Sequence, residues 1–105
     1  MSEQAPVEKA PYNYADYYNA TATTSNQFID LKRYPDELLL VNEDATNIAF
    51  VKFDQASSAT SGIPILASKS ERIKLRCRRI GVICSAGSPK LHVLAMSYLD
   101  NRITA

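Results

Sequence analysis

Five short runs decide the fold of this chain: Asn47-Ile-Ala-Phe-Val-Lys-Phe53, Gly62-Ile-Pro-Ile-Leu66, Glu71-Arg-Ile-Lys-Leu-Arg76, Ile80-Gly-Val-Ile-Cys84 and Leu91-His-Val-Leu-Ala-Met-Ser-Tyr98. Each run is rich in β-branched or aromatic residues, and small or polar residues separate it from the next. Such runs are typical of β-strands. The turn at Ser85-Ala-Gly-Ser-Pro89 predicts that the last two form a hairpin.

Three further strands are predicted upstream, at residues 20–24, 27–31 and 37–42. The continuous apolar run Leu38-Leu-Leu-Val41 fits a strand buried on both faces or a short helix, and we favour the strand. Seven or eight short strands with almost no helical periodicity predict an all-β fold. The expected architecture is a compact antiparallel β-sandwich or jelly roll.

The predicted core takes side chains from the central strands. It comprises Phe50, Val51, Phe53, Ile73, Leu75, Val82, Ile83, Val93 and Leu94. The two cysteines, Cys77 and Cys84, lack the Cys-x-x-Cys spacing and are interpreted as small core residues in a reducing compartment.

Length and composition are those of one small globular domain. The chain has 105 residues, of which 46% are hydrophobic and 22% charged. No apolar run approaches the ~20 residues that a membrane-spanning helix needs, so no membrane association is expected. The N-terminal residues lack the pattern of a secretory signal, and synthesis in a cytoplasm is expected.

Charge is divided unevenly along the chain. Residues 1–60 carry nine acidic and four basic side chains, whereas residues 61–105 carry eight basic and two acidic ones. Oppositely charged halves could meet in neighbouring copies of the chain or bind a partner of opposite sign. They could equally be solvated surface.

The first 19 residues are expected to form an extended arm that precedes a single domain at residues 20–105. Pro6 and Pro11 oppose a regular helix there. Four tyrosines, which offer a large apolar body with a polar tip, make the arm a candidate docking element. They are Tyr12, Tyr14, Tyr17 and Tyr18. A disordered tail is the alternative.

A basic strand is the second candidate interface. Between Ser70 and Arg78, apolar side chains alternate with Lys74, Arg76 and Arg78. This basic face could be solvated, could protect a sheet edge, or could contact an acidic protein. The wider segment 69–79 could also contact nucleic acid, but the near-neutral charge of the chain argues against such a partner.

No constellation of catalytic residues is recognisable. His92 is the single histidine and lies in a predicted strand, where a structural role is expected. Cys84 with His92 is a weak candidate for a nucleophile and its base, since no acid stands nearby in the sequence. No phosphate-binding glycine loop or metal-ligand spacing is present. We therefore expect no enzymatic activity, no cofactor and no metal.

The order of the strands resembles small virion structural proteins of tailed bacteriophages. The similar features are an aliphatic and aromatic strand, the Gly62–Leu66 segment, a charged strand and a closing hairpin, over about half the chain. The resemblance implies a capsid decoration or cement protein that bridges major capsid subunits. It further implies the major capsid protein as partner, a homotrimer, production in the bacterial host cytoplasm and a location on the virion surface. A neck or tail component, or a nucleic-acid-binding module, is the alternative.

Overall fold

The computed structural model describes residues 14–97, and within this range it contains eight strands and no helix. The strands are β1 (Tyr14–Thr21), β2 (Gln27–Asp30), β3 (Glu37–Asn42), β4 (Ala49–Phe53), β5 (Ile63–Ile65), β6 (Ser70–Ile73), β7 (Arg79–Cys84) and β8 (Lys90–Ser97).

The strands form two four-stranded sheets. Sheet A has the order β1-β8-β3-β6 and sheet B the order β2-β7-β4-β5. Every neighbouring pair is antiparallel, and the chain changes sheet at most connections. Eight strands in two sheets of this order make a double Greek key, the jelly roll. The all-β sandwich predicted from the sequence is therefore confirmed.

The core lies between the sheets and is built from alternate residues of each strand. Leu38 and Leu40 of β3 and Leu91 and Val93 of β8 are fully buried there. Sheet B contributes Val51, Ile80 and Val82 in the same way.

The predicted core is correct for one residue of each adjacent pair. Val51, Val82 and Val93 are fully buried, whereas their neighbours Phe50, Ile83 and Leu94 are only partly buried. Side chains of consecutive strand residues point to opposite faces, so both members of such a pair cannot enter one core. Three other predicted core residues pack half-buried against it, namely Phe53, Ile73 and Leu75.

The predicted boundary between arm and domain falls within β1. Residues 14–19 pair with β8, from Tyr14 opposite Ser97 to Asn19 opposite His92. They belong to the sandwich because they complete the edge of sheet A. The rest of the predicted arm, including Tyr12, lies outside the described residues.

The predicted basic strand is divided by the crossover between the sheets. β6 ends at Ile73 and β7 begins at Arg79, so residues 74–78 carry the chain from sheet A to sheet B. The predicted alternation survives in this extended connection. Cys77 is fully buried, and Lys74, Arg76 and Arg78 are exposed.

Both cysteines are buried and unpaired, as expected for core residues. Burial raises the pKa of Cys77 to about 11, and the charge of Asp54 acts in the same direction. Burial also raises the pKa of Cys84, whose thiol donates to the Gly87 carbonyl oxygen at 3.5 Å.

Candidate protein-binding surface

The outer face of sheet A carries an apolar centre. Outward-pointing side chains alternate with the buried ones, and the strand register makes Leu94 of β8 the neighbour of Tyr17 on β1 and of Leu39 on β3. Val41 follows along β3, opposite His92. Tyr17 is 57% exposed, and Leu39, Val41 and Leu94 are half-buried. We call these four side chains the apolar centre of sheet A.

A chain of hydrogen bonds holds the Tyr17 ring against this face. The Tyr17 hydroxyl lies 2.5 Å from His92 Nδ1, and His92 Nε2 bonds to Glu43 Oε1. A carboxylate can only accept, so His92 donates to Glu43 through Nε2, and Nδ1 makes the hydrogen bond to the Tyr17 hydroxyl. The two rings also stack, with centroids 5.8 Å apart. Tyr17 therefore loses little further freedom when a partner contacts it.

The loop that carries Glu43 is fixed by a buried amide. Asn42 is fully buried, and its side chain donates to the carbonyl oxygens of Asn47 and Ile65 and accepts from the Asp44 amide. Asp44 in turn accepts from the amides of Asn47 and Thr46, which lowers its pKa. Glu43 is thus held between two anchored residues.

The polar rim of this face has both signs of charge. At one end of the strands Arg72 pairs with Glu37 at 3.1 Å. At the other end Lys90 lies next to Glu43, whose amide donates to the Lys90 carbonyl oxygen. Neither end of the face is therefore uniformly acidic or basic.

The outer face of sheet B is partly covered by the connection between β4 and β5. A Cβ atom on Gly81 would lie 2.4 Å from the Gln55 carbonyl oxygen and 2.9 Å from the Ser57 amide. The Ser57 amide also donates to Asn26 Oδ1 at 2.8 Å. The serine-rich loop predicted between the strands thus lies against sheet B at Gly81. On the outer face of sheet A, Glu37 and Met96 are buried at one end, whereas Tyr17 is 57% exposed.

The predicted tyrosine cluster is divided by β1. Tyr17 points outward, whereas Tyr18 packs against the core and its hydroxyl accepts from the Lys32 amide at 2.8 Å. Tyr14 lies under the Arg33 guanidinium at 4.2 Å. Of the three tyrosines of this cluster that lie among the described residues, Tyr17 alone belongs to the apolar centre.

Two of the predicted basic residues meet at an exposed tyrosine. The guanidinium groups of Arg76 and Arg78 lie 5.5 and 5.3 Å from the centre of the Tyr34 ring. Arg78 Nε also donates to the Leu31 carbonyl oxygen, and Arg76 lies 3.5 Å from Asp36. Lys74 is exposed without joining this cluster. Tyr34 was not anticipated, because it is more than 40 residues away in sequence.

The charge division of the sequence disappears in the fold. Basic residues of the second half pair with acidic residues of the first, in the pairs Arg72–Glu37, Arg76–Asp36 and Arg79–Asp30. The jelly roll interleaves the two halves, so opposite charges meet within one molecule. The charges therefore give no support to contacts between oppositely charged poles of neighbouring copies.

No catalytic arrangement is found among residues 14–97. Cys84 points into the core from sheet B, whereas His92 lies on the outer face of sheet A, so they form no nucleophile and base pair. Within these residues there is no cleft, no group of three or more metal-ligating side chains and no helix that could span a membrane.

Comparison with solved structures returns a likeness to a histone-binding protein. No protein-family model and no curated protein matches the chain. Among solved structures it aligns with the Drosophila NLP core, whose crystal structure is described as providing insight into pentamer formation and histone binding. The TM-score is 0.42 at 16% identity, over 81% of this chain and 97% of that one. A likeness at this level assigns no function to the present chain.

The predicted virion function is nevertheless overturned. The solved structure named above belongs to a histone-binding, pentamer-forming protein, and nothing in the comparisons points to a phage virion protein. The prediction of a capsid decoration protein is therefore wrong. Its alternatives, a neck or tail component and a nucleic-acid-binding module at residues 69–79, are dropped with it.

Proposed function

We propose that this chain is a non-enzymatic structural subunit that assembles with copies of itself through the outer face of sheet A. One observation carries the proposal: the chain lays its own β4–β5 connection on the outer face of sheet B at Gly81, while the apolar centre of sheet A includes Tyr17, which is 57% exposed. An antiparallel sheet that faces only water normally carries polar side chains outward. Outward Leu39, Val41 and Leu94 depart from that pattern and favour a protein contact.

The occupant that fits this face best is a second copy of the chain. A symmetric contact uses the same patch on both subunits, so the patch must complement itself. The rim of sheet A meets that condition, because Arg72 with Glu37 and Lys90 with Glu43 place both signs at each end. A strongly charged foreign partner would instead require a rim of one sign.

The size of the face is compatible with a subunit contact. Four strands spaced ~4.8 Å apart and about six residues long give a flat area of roughly 400 Å². Side-chain relief raises the accessible area above this figure, toward the ~800 Å² that each partner buries in a standard interface. The homotrimer expected from the sequence stays a prediction of copy number.

The proposal is tested by replacing Leu94 with glutamate and measuring mass by sedimentation equilibrium. We expect the unmodified chain to exceed the 11.6 kDa of one copy and Leu94→Glu to have a lower mass, with an unchanged far-ultraviolet spectrum. Phe28→Glu is the matched control, because Phe28 is an exposed apolar residue on the outer face of sheet B.

A single-copy mass for the unmodified chain at ~100 μM, well above the concentrations at which ordinary assemblies dissociate, would overturn the proposal. The contact partner of the apolar centre would then be residues 1–13, residues 98–105 or a foreign protein. An equal loss of mass in both variants would also contradict it, since it would show a general effect of added charge.

A further inference from the structure

Sheet A ends in a long edge strand. β1 has eight residues, whereas the other edge strands have four in β2, three in β5 and four in β6. β1 pairs with β8 along one side, and no other described strand pairs with it. An edge of this length presents a row of backbone donors and acceptors to any chain that approaches it.

The β5 and β6 edges carry features that oppose pairing. Pro64 in β5 has no amide donor, and Glu71 and Arg72 place charges on β6. β1 contains no proline or lysine, and its single charged residue, Asp16, lies 3.1 Å from Arg33 with a largely buried carboxylate. Natural proteins normally protect a free edge by such means. β1 has neither a proline nor an exposed charge, and its Asp16 is neutralised by Arg33, which favours a paired edge.

The register shows which residues of β1 are available. The Ala22 amide donates to the Pro89 carbonyl oxygen, and these two residues continue the β1–β8 register directly. Hydrogen-bonded and non-hydrogen-bonded pairs alternate along an antiparallel ladder. The even-numbered residues of β1 therefore bond to β8. The odd-numbered residues, which are exposed, direct both amide and carbonyl groups away from it; they are Ala15, Tyr17, Asn19 and Thr21.

We propose that two copies of the chain pair antiparallel through β1, which joins their A sheets into one continuous eight-stranded sheet. This pairing rests on the proposed self-assembly and specifies one of its contacts. The register that uses all four available residues places Ala15 opposite Thr21 of the partner copy and Tyr17 opposite the partner's Asn19. The two-fold axis then passes beside Tyr18.

The pairing also enlarges the proposed face. Because the two sheets become continuous, the apolar centres of both copies lie on the same side of one surface. Its flat area is then about twice that of a single face, roughly 800 Å². A face contact between two such pairs would bury a full standard interface. Edge pairing and face packing therefore reinforce each other.

Proline at position 19 tests the edge without breaking the sandwich. Asn19 directs its amide away from β8, so Asn19→Pro should preserve the β1–β8 ladder and remove a donor from the free edge. Ser70→Pro is the matched control on β6, because the Asn42 to Lys69 hydrogen bond places the Ser70 amide on the side away from β3. We expect a twofold lower mass by sedimentation for Asn19→Pro and no change for Ser70→Pro.

Disulfide trapping tests the register and does not depend on the proline variant folding. Mixing Ala15→Cys with Thr21→Cys under mild oxidation should give a cross-linked pair, because Cα atoms opposite each other lie about 5.5 Å apart, within disulfide reach. Neither variant alone should cross-link. In a pair of Ala15→Cys copies each new cysteine lies opposite the partner's Thr21, and in a pair of Thr21→Cys copies each lies opposite the partner's Ala15.

The outcomes separate this inference from the proposed function. A single-copy mass for the unmodified chain would overturn both. An assembly that keeps its mass in Asn19→Pro and gives no cross-link in the mixture would overturn edge pairing alone. A mass of three copies would do the same, because a two-fold pair yields an even number.

Discussion

Replacing the buried Asn42 with alanine should destabilise the domain severely. Its side chain makes three hydrogen bonds: to the Asn47 carbonyl oxygen at 2.8 Å, to the Ile65 carbonyl oxygen at 2.9 Å and from the Asp44 amide at 2.9 Å. Asn42→Ala leaves all three backbone groups without this partner. The same bonds join the end of β3 to β5 and to the loop that carries Glu43.

The expected loss follows from the burial of each group. The Ile65 bond is buried, and an unsatisfied group there costs about 1–3 kcal/mol. The other two bonds are part-buried, so water replaces some of what is lost, and about 0.5–1 kcal/mol each is reasonable. The total of about 2–5 kcal/mol is a large share of the ~5–15 kcal/mol that stabilises a typical domain.

Urea unfolding followed by circular dichroism measures this loss. Gln55→Ala is the control, because it truncates an exposed amide and should change the unfolding free energy by less than ~0.5 kcal/mol. A loss below ~1 kcal/mol for Asn42→Ala, with an unchanged slope against urea, would refute the view that this amide holds the loop.

Two further predictions concern the core and the N-terminus. Because the folded-state pKa of Cys77 is raised from 9.0 to about 11, the unfolded chain loses this proton first, and the free energy of unfolding should fall between pH 9 and 11. Cys77→Ala should show a smaller fall in urea titrations across that range, and equal slopes would contradict this. Deleting residues 2–13 should leave the far-ultraviolet spectrum and melting transition intact, whereas deleting residues 2–19 removes most of β1 and should abolish the transition. A folded 2–19 deletion would show that β1 is dispensable.

The strands were predictable because their signals are local. Turn residues such as Ser85-Ala-Gly-Ser-Pro89 mark where strands end, and alternation within a run separates its two faces. Alternation does not show which face is covered, and that is why Phe50 and Leu94 were assigned to the core. Phe50 lies on the face covered by the chain's own loop, which only the fold reveals.

The candidate surface was not predictable because its parts are distant in sequence. Tyr17 and His92 are 75 residues apart, and His92 and Glu43 are 49 apart. Their meeting depends on β8 lying between β1 and β3, which no local pattern specifies. The same interleaving cancels the charge division that was visible in the sequence. A signal was present in Leu38–Val41, whose double-sided apolar pattern already suggested a second covered face.

The position of β8 has a consequence for how the protein forms. In sheet A, β1 and β3 are not hydrogen-bonded to each other, and both bond to β8, the last strand of the described residues. During synthesis, therefore, sheet A lacks the strand that joins β1 to β3 until residues 90–97 have left the ribosome. Contacts between such distant residues close slowly, in the range of milliseconds to seconds for all-β domains. Until then β3 exposes its apolar residues on both sides, and the nascent chain is open to aggregation or to chaperone binding.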